Sequence, residues 1–307
     1  MHAEGEYKDP VDCGTYRKGL AVPVTPVTDM YRGGVVALLT QHGKEAVVAP
    51  VLDAALGCRV RRVDGYDTDR LGTFTRDVGR PGTQIEAARR KARIGMELAA
   101  TPLGVASEGS FGRDPYAGLL PWNIEMLLFV DDLRGIEVAG VAEGGARSAH
   151  CLGRNWEDVE AFARHAGFPG HHLVLRPDTE TDGRIRKGIA SWADLESACA
   201  TAMAQSQNGS VFVEIDLRAH ANPTRMATIR LAAEDLARRL ASPCPACGLP
   251  GFWVVERIAG LPCGQCGAPT REVCAEIRGC IRCDCRIRQE CADRSSADPA
   301  HCDVCNP

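Results

Sequence analysis

Eleven of the fifteen cysteines lie beyond residue 243, and eight of these form four Cys-x2-Cys pairs: "CPACG" from Cys244, "CGQCG" from Cys263, "CIRCD" from Cys280 and "CDVCN" from Cys302. A two-residue spacer lets both thiolates grip one ion, and two such knuckles complete a tetrahedral four-cysteine zinc site. Fifteen residues separate the first two knuckles and eighteen the last two. In chain order this predicts one structural Zn2+ on Cys244, Cys247, Cys263 and Cys266, and a second on Cys280, Cys283, Cys302 and Cys305. Cys274, Cys285 and Cys291 are left over. Cys285 could compete with Cys283, and the plain alternative for all three is a thiol without a role. Residues 243–307 carry seven Arg and no Lys against eight acidic residues. Each Zn2+ with four thiolates adds two negative charges, so the loaded tail is acidic. Phosphate binding rests on Lys and Arg neutralising charge. The tail therefore reads as structural, or as a contact for a protein partner, and its charge argues against nucleic acid. A local stripe of Arg278, Arg282, Arg286 and Arg288 keeps that third role open.

Five polar stretches upstream could carry chemistry. "LLTQHGKE" is a strand, a polar turn and a helix start, with Thr40, His42 and Lys44 where backbone N–H groups can meet phosphate. It is not a P-loop, because Leu38 and Glu45 stand where Gly and Ser/Thr are required. "VDGYDTDRLGTF" groups Asp64, Asp67 and Asp69, a donor set for a hard cation such as Mg2+. "PLGVASEGSFG" reads as an apolar strand that ends in a small-residue turn around Glu108. "EIDLRAHANPTRM" reads as a strand with Glu214, Asp216, Arg218 and His220 on one face, followed by a helix capped by Asn222. Arg225 in its first turn opposes the helix dipole unless it grips an anion. "RIRKG" is a basic loop in which Lys187 could hold phosphate. Each has a bland counterpart: a connecting turn, a solvated acidic loop, a Glu capping a neighbouring N–H, a salt-bridged helix start and a solvated loop. A nucleophile elbow fails around Ser107 and Ser110 because Val105 and Glu108 break the glycine pattern. His165, His171 and His172 lack partners at metal-binding spacing, and Cys151 beside His150 is a weak pair.

The elements that must place these residues alternate. Strands are expected over 33–41, in "CRVRRV", "PLGVAS", "IEMLLFVDD" and "GIEVAGVAE", the last two as a hairpin. A helix with Pro50 inside should stop at Gly57. Another should start from a Thr83/Glu86 capping box and bury Ile85, Ala88, Ala92, Met96 and Ala99. Beyond Arg154, helix, strand, helix, strand and a long helix from Pro223 follow. This order predicts an α/β fold, a mixed sheet flanked by helices, followed by a small double zinc-ribbon tail. The expected divisions are a loose extension over 1–29, an α/β body over 30–242 and the tail over 243–307, with Met30 a candidate natural start.

A net charge of −4 over 307 residues gives no global field for nucleic acid or membrane. No apolar run reaches the ~18–20 residues of a membrane span, and the start lacks a signal-peptide pattern. A cytoplasmic protein that contacts no membrane is expected, and a homodimer is compatible.

The order of motifs from about Met30 onward resembles an uncharacterised bacterial family with a cysteine-rich tail. More remotely, the body resembles the inosine-triphosphate pyrophosphatase superfamily, in its non-canonical purine phosphatase branch. Thr40, His42 and Lys44 match that family's Thr-x-Asn…Lys turn, with His in place of Asn. Lys91-Ala92 matches a helical Lys-Ala pair, Glu108-Gly109 an acid-Gly turn, and Arg225 the arginine of a Ser-His-Arg element. The resemblance implies Mg2+-dependent cleavage of nucleoside triphosphates. Glu108, with Asp67 or Asp69, would hold the ion. Lys44, Lys91 and Arg225 would clamp phosphates, and His42 would position phosphate or water. The expected function is thus a metal-dependent phosphohydrolase of a nucleotide or similar phosphorylated small molecule. The rivals are a non-catalytic adaptor that docks through its ribbons and a nucleic-acid-processing enzyme.

Overall fold

A computed structural model describes residues 26–68, 82–291 and 293–307. Most of the expected N-terminal extension and Asp69 lie outside the described residues. The described residues divide into two compact units: residues 31–237, and residues 238–307 with 26–30. A short helix α1 (Val27–Tyr31) precedes the first strand.

The larger unit opens with β1 (Val35–Leu39), α2 (Glu45–Leu56), β2 (Arg59–Val63), α3 (Gln84–Ala99), β3 (Leu103–Arg113), β4 (Pro121–Asp131) and β5 (Ile136–Gly145). Gly57 ends α2 in the left-handed region at φ 66°, where a side chain would be strained. Thr83 and Glu86 close a reciprocal capping box at the start of α3. The five strands form one sheet in the order β2-β1-β3-β4-β5. β1 runs parallel to β2 and β3, while β3, β4 and β5 are antiparallel. Since β1 leads to β2 on one side and its other neighbour is β3, right-handed crossovers place α2 and α3 on opposite faces.

Small residues set how closely helices lie on this sheet. Ala88, Ala92 and Met96 of α3 pack against Ala37, Leu39, Ala106, Leu128 and Val130. A Cβ on Gly104 would stand 2.6 Å from Met96 Cγ. Ile85, expected in this stripe, is at the exposed end of the helix instead. A longer helix α6 (Pro223–Leu240) approaches β5. A Cβ on Gly140 would stand 2.4 Å from the Leu236 backbone nitrogen, and Asp235 accepts the Val141 N–H at 2.9 Å.

A second sheet accompanies the mixed one. It comprises β6 (His150–Gly153), β7 (Leu173–Pro177), β8 (Arg186–Ile189) and β9 (Val211–Ile215) in the order β6-β9-β7-β8, antiparallel throughout. Helices α4 (Trp156–Ala166) and α5 (Trp192–Gln205) bury Val159, Ala163, Leu195 and Cys199 against it.

Three local expectations change. Glu108-Gly109 is not a turn. β3 continues to Arg113, pairing Glu108 with Met126 and Gly109 with Glu125, because small residues fit a crowded sheet interior as readily as a bend. The actual turn begins at Asp114, whose carboxylate accepts four backbone N–H groups, from Tyr116, Ala117, Leu119 and Leu120. These bonds hold its pKa far below the usual carboxylate range. The "EIDLRAH" strand stops at Ile215, where Asp216 turns its carboxylate onto Arg218 and Ala219–Ala221 forms a 3-10 turn. "RIRKG" is largely strand β8, with Lys187 inside it.

In the smaller unit β10 (Trp253–Ala259), β11 (Val273–Gly279) and β12 (Arg286–Glu290) form an antiparallel sheet in the order β10-β11-β12.

Gly140→Ala should cost about 1–3 kcal/mol, because the intruding atom is backbone that cannot rotate away. The readout is a lower urea midpoint at unchanged slope. An unaltered midpoint would mean that α6 does not rest on β5 this closely.

Candidate functional sites

The eight knuckle cysteines converge into two tetrads, but with a different partnership from the one that chain order suggests. Cys244 and Cys247 meet Cys280 and Cys283, and Cys263 and Cys266 meet Cys302 and Cys305. The strand path is the reason. β10 leads from the first knuckle toward the second, and β11 returns antiparallel, setting Gly279 opposite Trp253. Cys280 is therefore delivered back to the first knuckle. β12 then reverses again, setting Glu290 opposite Ala275, and the fourth knuckle reaches the second. The ligands interleave: first with third, second with fourth.

Facing sulfurs lie 3.8 Å apart for Cys244 and Cys283, 3.7 Å for Cys247 and Cys280, 3.9 Å for Cys263 and Cys305, and 3.7 Å for Cys266 and Cys302. Tetrahedral Zn2+ with Zn–S bonds of about 2.3 Å requires sulfurs about 3.8 Å apart. All four sulfurs of each set lie within 4.8 Å of one another. Gly248 and Gly267 follow their knuckles at φ 75°, and their N–H groups bond Cys244 O and Cys263 O at 2.8 and 2.9 Å. Backbone N–H groups also favour thiolates: those of Cys266 and Gln265 pull Cys263 down to about 7. Cys285 is buried with Phe252 beside the first tetrad and belongs to neither. The arginine stripe is partly neutralised. Arg286 faces Glu256, Arg288 bonds Glu290, and Arg278 lies over Phe252 and Trp253.

In the larger unit a second chemistry gathers where β1 ends. Ala37 and Leu38 pair with Gly104 and Val105, and past Leu39 the neighbour of β3 is a polar turn. Lys44 takes the place of the missing strand. Its Nζ donates to Ser107 O at 2.9 Å and Ser107 Oγ at 3.2 Å. On the α3 face of β3, Lys91 Nζ lies 2.5 Å from Glu108 Oε1. Alternation puts Ser107, Gly109 and the cross-strand Glu125 on the other face. There Arg225 Nε donates to Glu125 Oε1 at 2.7 Å, and Asn123 Nδ2 donates to the same oxygen at 3.0 Å. A Cβ on Gly109 would collide with the Glu125 carboxylate and with Arg225. Glycine there opens the space in which the ion pair sits.

Lys44, Glu108, Glu125 and Arg225 are all buried, with 7%, 5%, 0% and 3% of their surface exposed. Burial lowers the Lys44 pKa to about 7. Arg225 and Lys91 add to that effect, while Glu125 and Glu108 oppose it. Asn222 caps α6 by accepting the Arg225 N–H at 3.0 Å, which fixes the arginine at the helix start. Gln84 spans the strands by donating to Glu108 O at 2.8 Å.

The remaining expected residues divide. Thr40 is buried and accepts the His42 N–H at 3.3 Å. His42 stacks on His220, with ring centroids 5.1 Å apart, bringing the Ala219–Ala221 turn beside the β1–α2 turn. Gln41 bonds Tyr66 and Thr68, which flank Asp67, so that segment lies along the same turn. Lys187 stands in the second sheet, on β8. Among the described residues the only groups of three or more metal-ligating side chains are the two cysteine tetrads. Asp67 and Glu108 therefore do not form a ready-made Mg2+ cage. Glu125, which sequence reasoning missed, is the carboxylate that Arg225 holds. Its signal was weak, a lone acid between apolar residues in "IEMLLF".

The pairing is testable by metal content. The double variant Cys244→Ser/Cys280→Ser should keep one tightly bound zinc, because both changes fall in one tetrad. Cys244→Ser/Cys263→Ser should lose both. The reverse pattern would restore the chain-order partnership.

No curated protein and no solved structure matches the chain, and nothing supports the likeness to the inosine-triphosphate pyrophosphatase superfamily. One family does match, over residues 91–307, which include the second half of α3, every strand from β3 onward and the two tetrads. The chain belongs to the family described as a domain of unknown function, DUF6671.

Proposed function

We propose that the charged cluster at the end of β1 binds and hydrolyses a phosphorylated small molecule, a nucleotide being the first candidate, while the zinc-loaded tail is structural. The observation that carries this reading is Lys44. A buried ammonium lies where a strand should continue, between the Arg225–Glu125 and Lys91–Glu108 pairs. Three cationic side chains against two carboxylates leave room for an anion to complete the charge balance. The place also fits, since ligands of open α/β sheets bind outside the carboxyl ends of strands where the connections diverge. Here β1 leads toward β2 and away from β3.

Lys44, Lys91 and Arg225 would hold phosphate oxygens, with Thr40 and His42 on the turn beside them. Glu108 and Asp67 are the acids available to a divalent cation such as Mg2+ that enters with the phosphates, and such an ion neutralises phosphate charge and activates water. Exposed Val255, Ile281 and Val304 on the tail favour a second reading, an adaptor that docks a protein partner there.

The test is a panel of nucleoside triphosphates and sugar phosphates with Mg2+ or Mn2+, read as phosphate or pyrophosphate release. Lys44→Met should lower turnover by about 10²-fold or more, and Glu108→Gln should abolish turnover while binding persists. No release, with no ligand raising the melting temperature, defeats the proposal.

Binding should also depend on pH. Lys44 must carry its proton to hold an anion, and its pKa in the free protein is about 7. Affinity should fall as pH rises through 7, and Lys44→Met should flatten that dependence. Without ligand the stability trend runs the other way. The unfolded chain holds the Lys44 proton up to its ordinary value of 10.5, so stability from this group rises between pH 7 and 10.5.

A further inference from the structure

Two of the three tail cysteines outside the tetrads face each other. The β11–β12 register pairs Ala275 with Glu290. One step further sets Cys274 opposite Cys291, whose N–H donates to Cys274 O at 2.9 Å. Directly opposed residues on antiparallel strands put their side chains on the same face, and in a hydrogen-bonded pair such as this one the Cβ atoms are about 5.5 Å apart. A disulfide needs Cβ atoms about 3.5–4.5 Å apart, so a small closing movement of two strands suffices. Both residues are half-buried free thiols, within reach of a small reagent. Cys285, the third spare thiol, is packed under the first tetrad.

We propose that Cys274 and Cys291 form a dithiol that closes to an intramolecular disulfide by exchange with a small-molecule disulfide. One thiolate attacks a sulfur of, for example, oxidised glutathione, forming a mixed disulfide and releasing one glutathione thiolate. The second cysteine, as thiolate, then attacks the protein sulfur of that mixed disulfide and expels the second glutathione. Two protein thiols are oxidised, one disulfide is reduced to two thiols, and the two thiol protons pass to solvent or to the departing thiolates. In the reduced state the Cys274 thiol donates to Ala259 O at 3.5 Å on β10, so it rotates away from that carbonyl to react. The closed bond would pin β12, the outermost strand, onto β11 across the segment that carries Cys280 and Cys283.

The protein's own arginines make the test direct. Trypsin cuts after Arg271, Arg278, Arg288 and Arg294, releasing residues 272–278 and 289–294, each with a single cysteine. The zinc-loaded full chain is treated with oxidised glutathione, alkylated, digested without reductant and examined by mass spectrometry. The expected result is one linked pair of these two peptides with the zinc content unchanged. In Cys291→Ser the linked pair should vanish and glutathione should remain on Cys274. Separate glutathione adducts on both peptides of the native chain, unreacted thiols at both, or a link to a tetrad cysteine with loss of zinc would each overturn the proposal.

Discussion

The larger unit is organised around a carboxylate that water cannot reach. Glu125 is fully buried in β4, and its charge is tolerated because Arg225 and Asn123 reach it. Removing one partner of such a pair leaves an uncompensated charge and costs about 3–5 kcal/mol. That demand explains several other features. Asn222 must cap α6 so that Arg225 starts the helix at the right height. Residue 109 must be glycine, since a side chain would occupy the space of the ion pair. Ser107, two residues away on the same face, is left to receive Lys44. A chain of local choices on three elements thus follows from one buried acid.

The smaller unit solves a different problem. Its strands bury few large apolar side chains, and all five residues of β12 are exposed. So short a segment cannot draw its stability from a core, and metal binding supplies folding energy that burial does not. Because each tetrad draws on knuckles that are distant in sequence, metal binding at the first closes a loop that contains β10 and β11, and at the second a loop that contains β11 and β12. The antiparallel sheet and the two sites are therefore one construction, in which the sheet brings the knuckles together and ions bound there would hold the sheet.

Much of this was legible in the residues. The capping box of Thr83 and Glu86, the stop at Gly57 and the helix start at Pro223 depend on contacts a few positions apart, which sequence carries directly. The eight knuckle cysteines declared themselves by spacing. What failed depended on distant partners. Glu108-Gly109 looked like a turn because glycine and serine favour bends, yet the same small residues suit a strand that must admit an ion pair. The partnership of the knuckles was hidden by chain order, although a repeated pattern offered a clue. Pro243 to Pro250 and Pro262 to Pro269 both read Pro-Cys-x-x-Cys-Gly-x-Pro, and both close with a bridge between the two prolines. Two copies of one half-site call for two different complements, which the third and fourth knuckles provide.

The position of Lys44 joins these lines of reasoning. A strand that stops early leaves its neighbour's backbone carbonyl without a ladder partner, and an unmatched buried carbonyl is costly. Water or a side chain could satisfy it. Here a lysine does, at the cost of burying an ammonium among other charges, and its proton is consequently held only weakly near neutral pH. A neutral donor such as Gln would meet Ser107 O without that penalty, as Gln84 does for Glu108 O. Structural need accounts for a hydrogen-bond donor at this point but not for a charge. The charge is what an anionic ligand would require, and that difference separates a binding site from a well-filled strand edge.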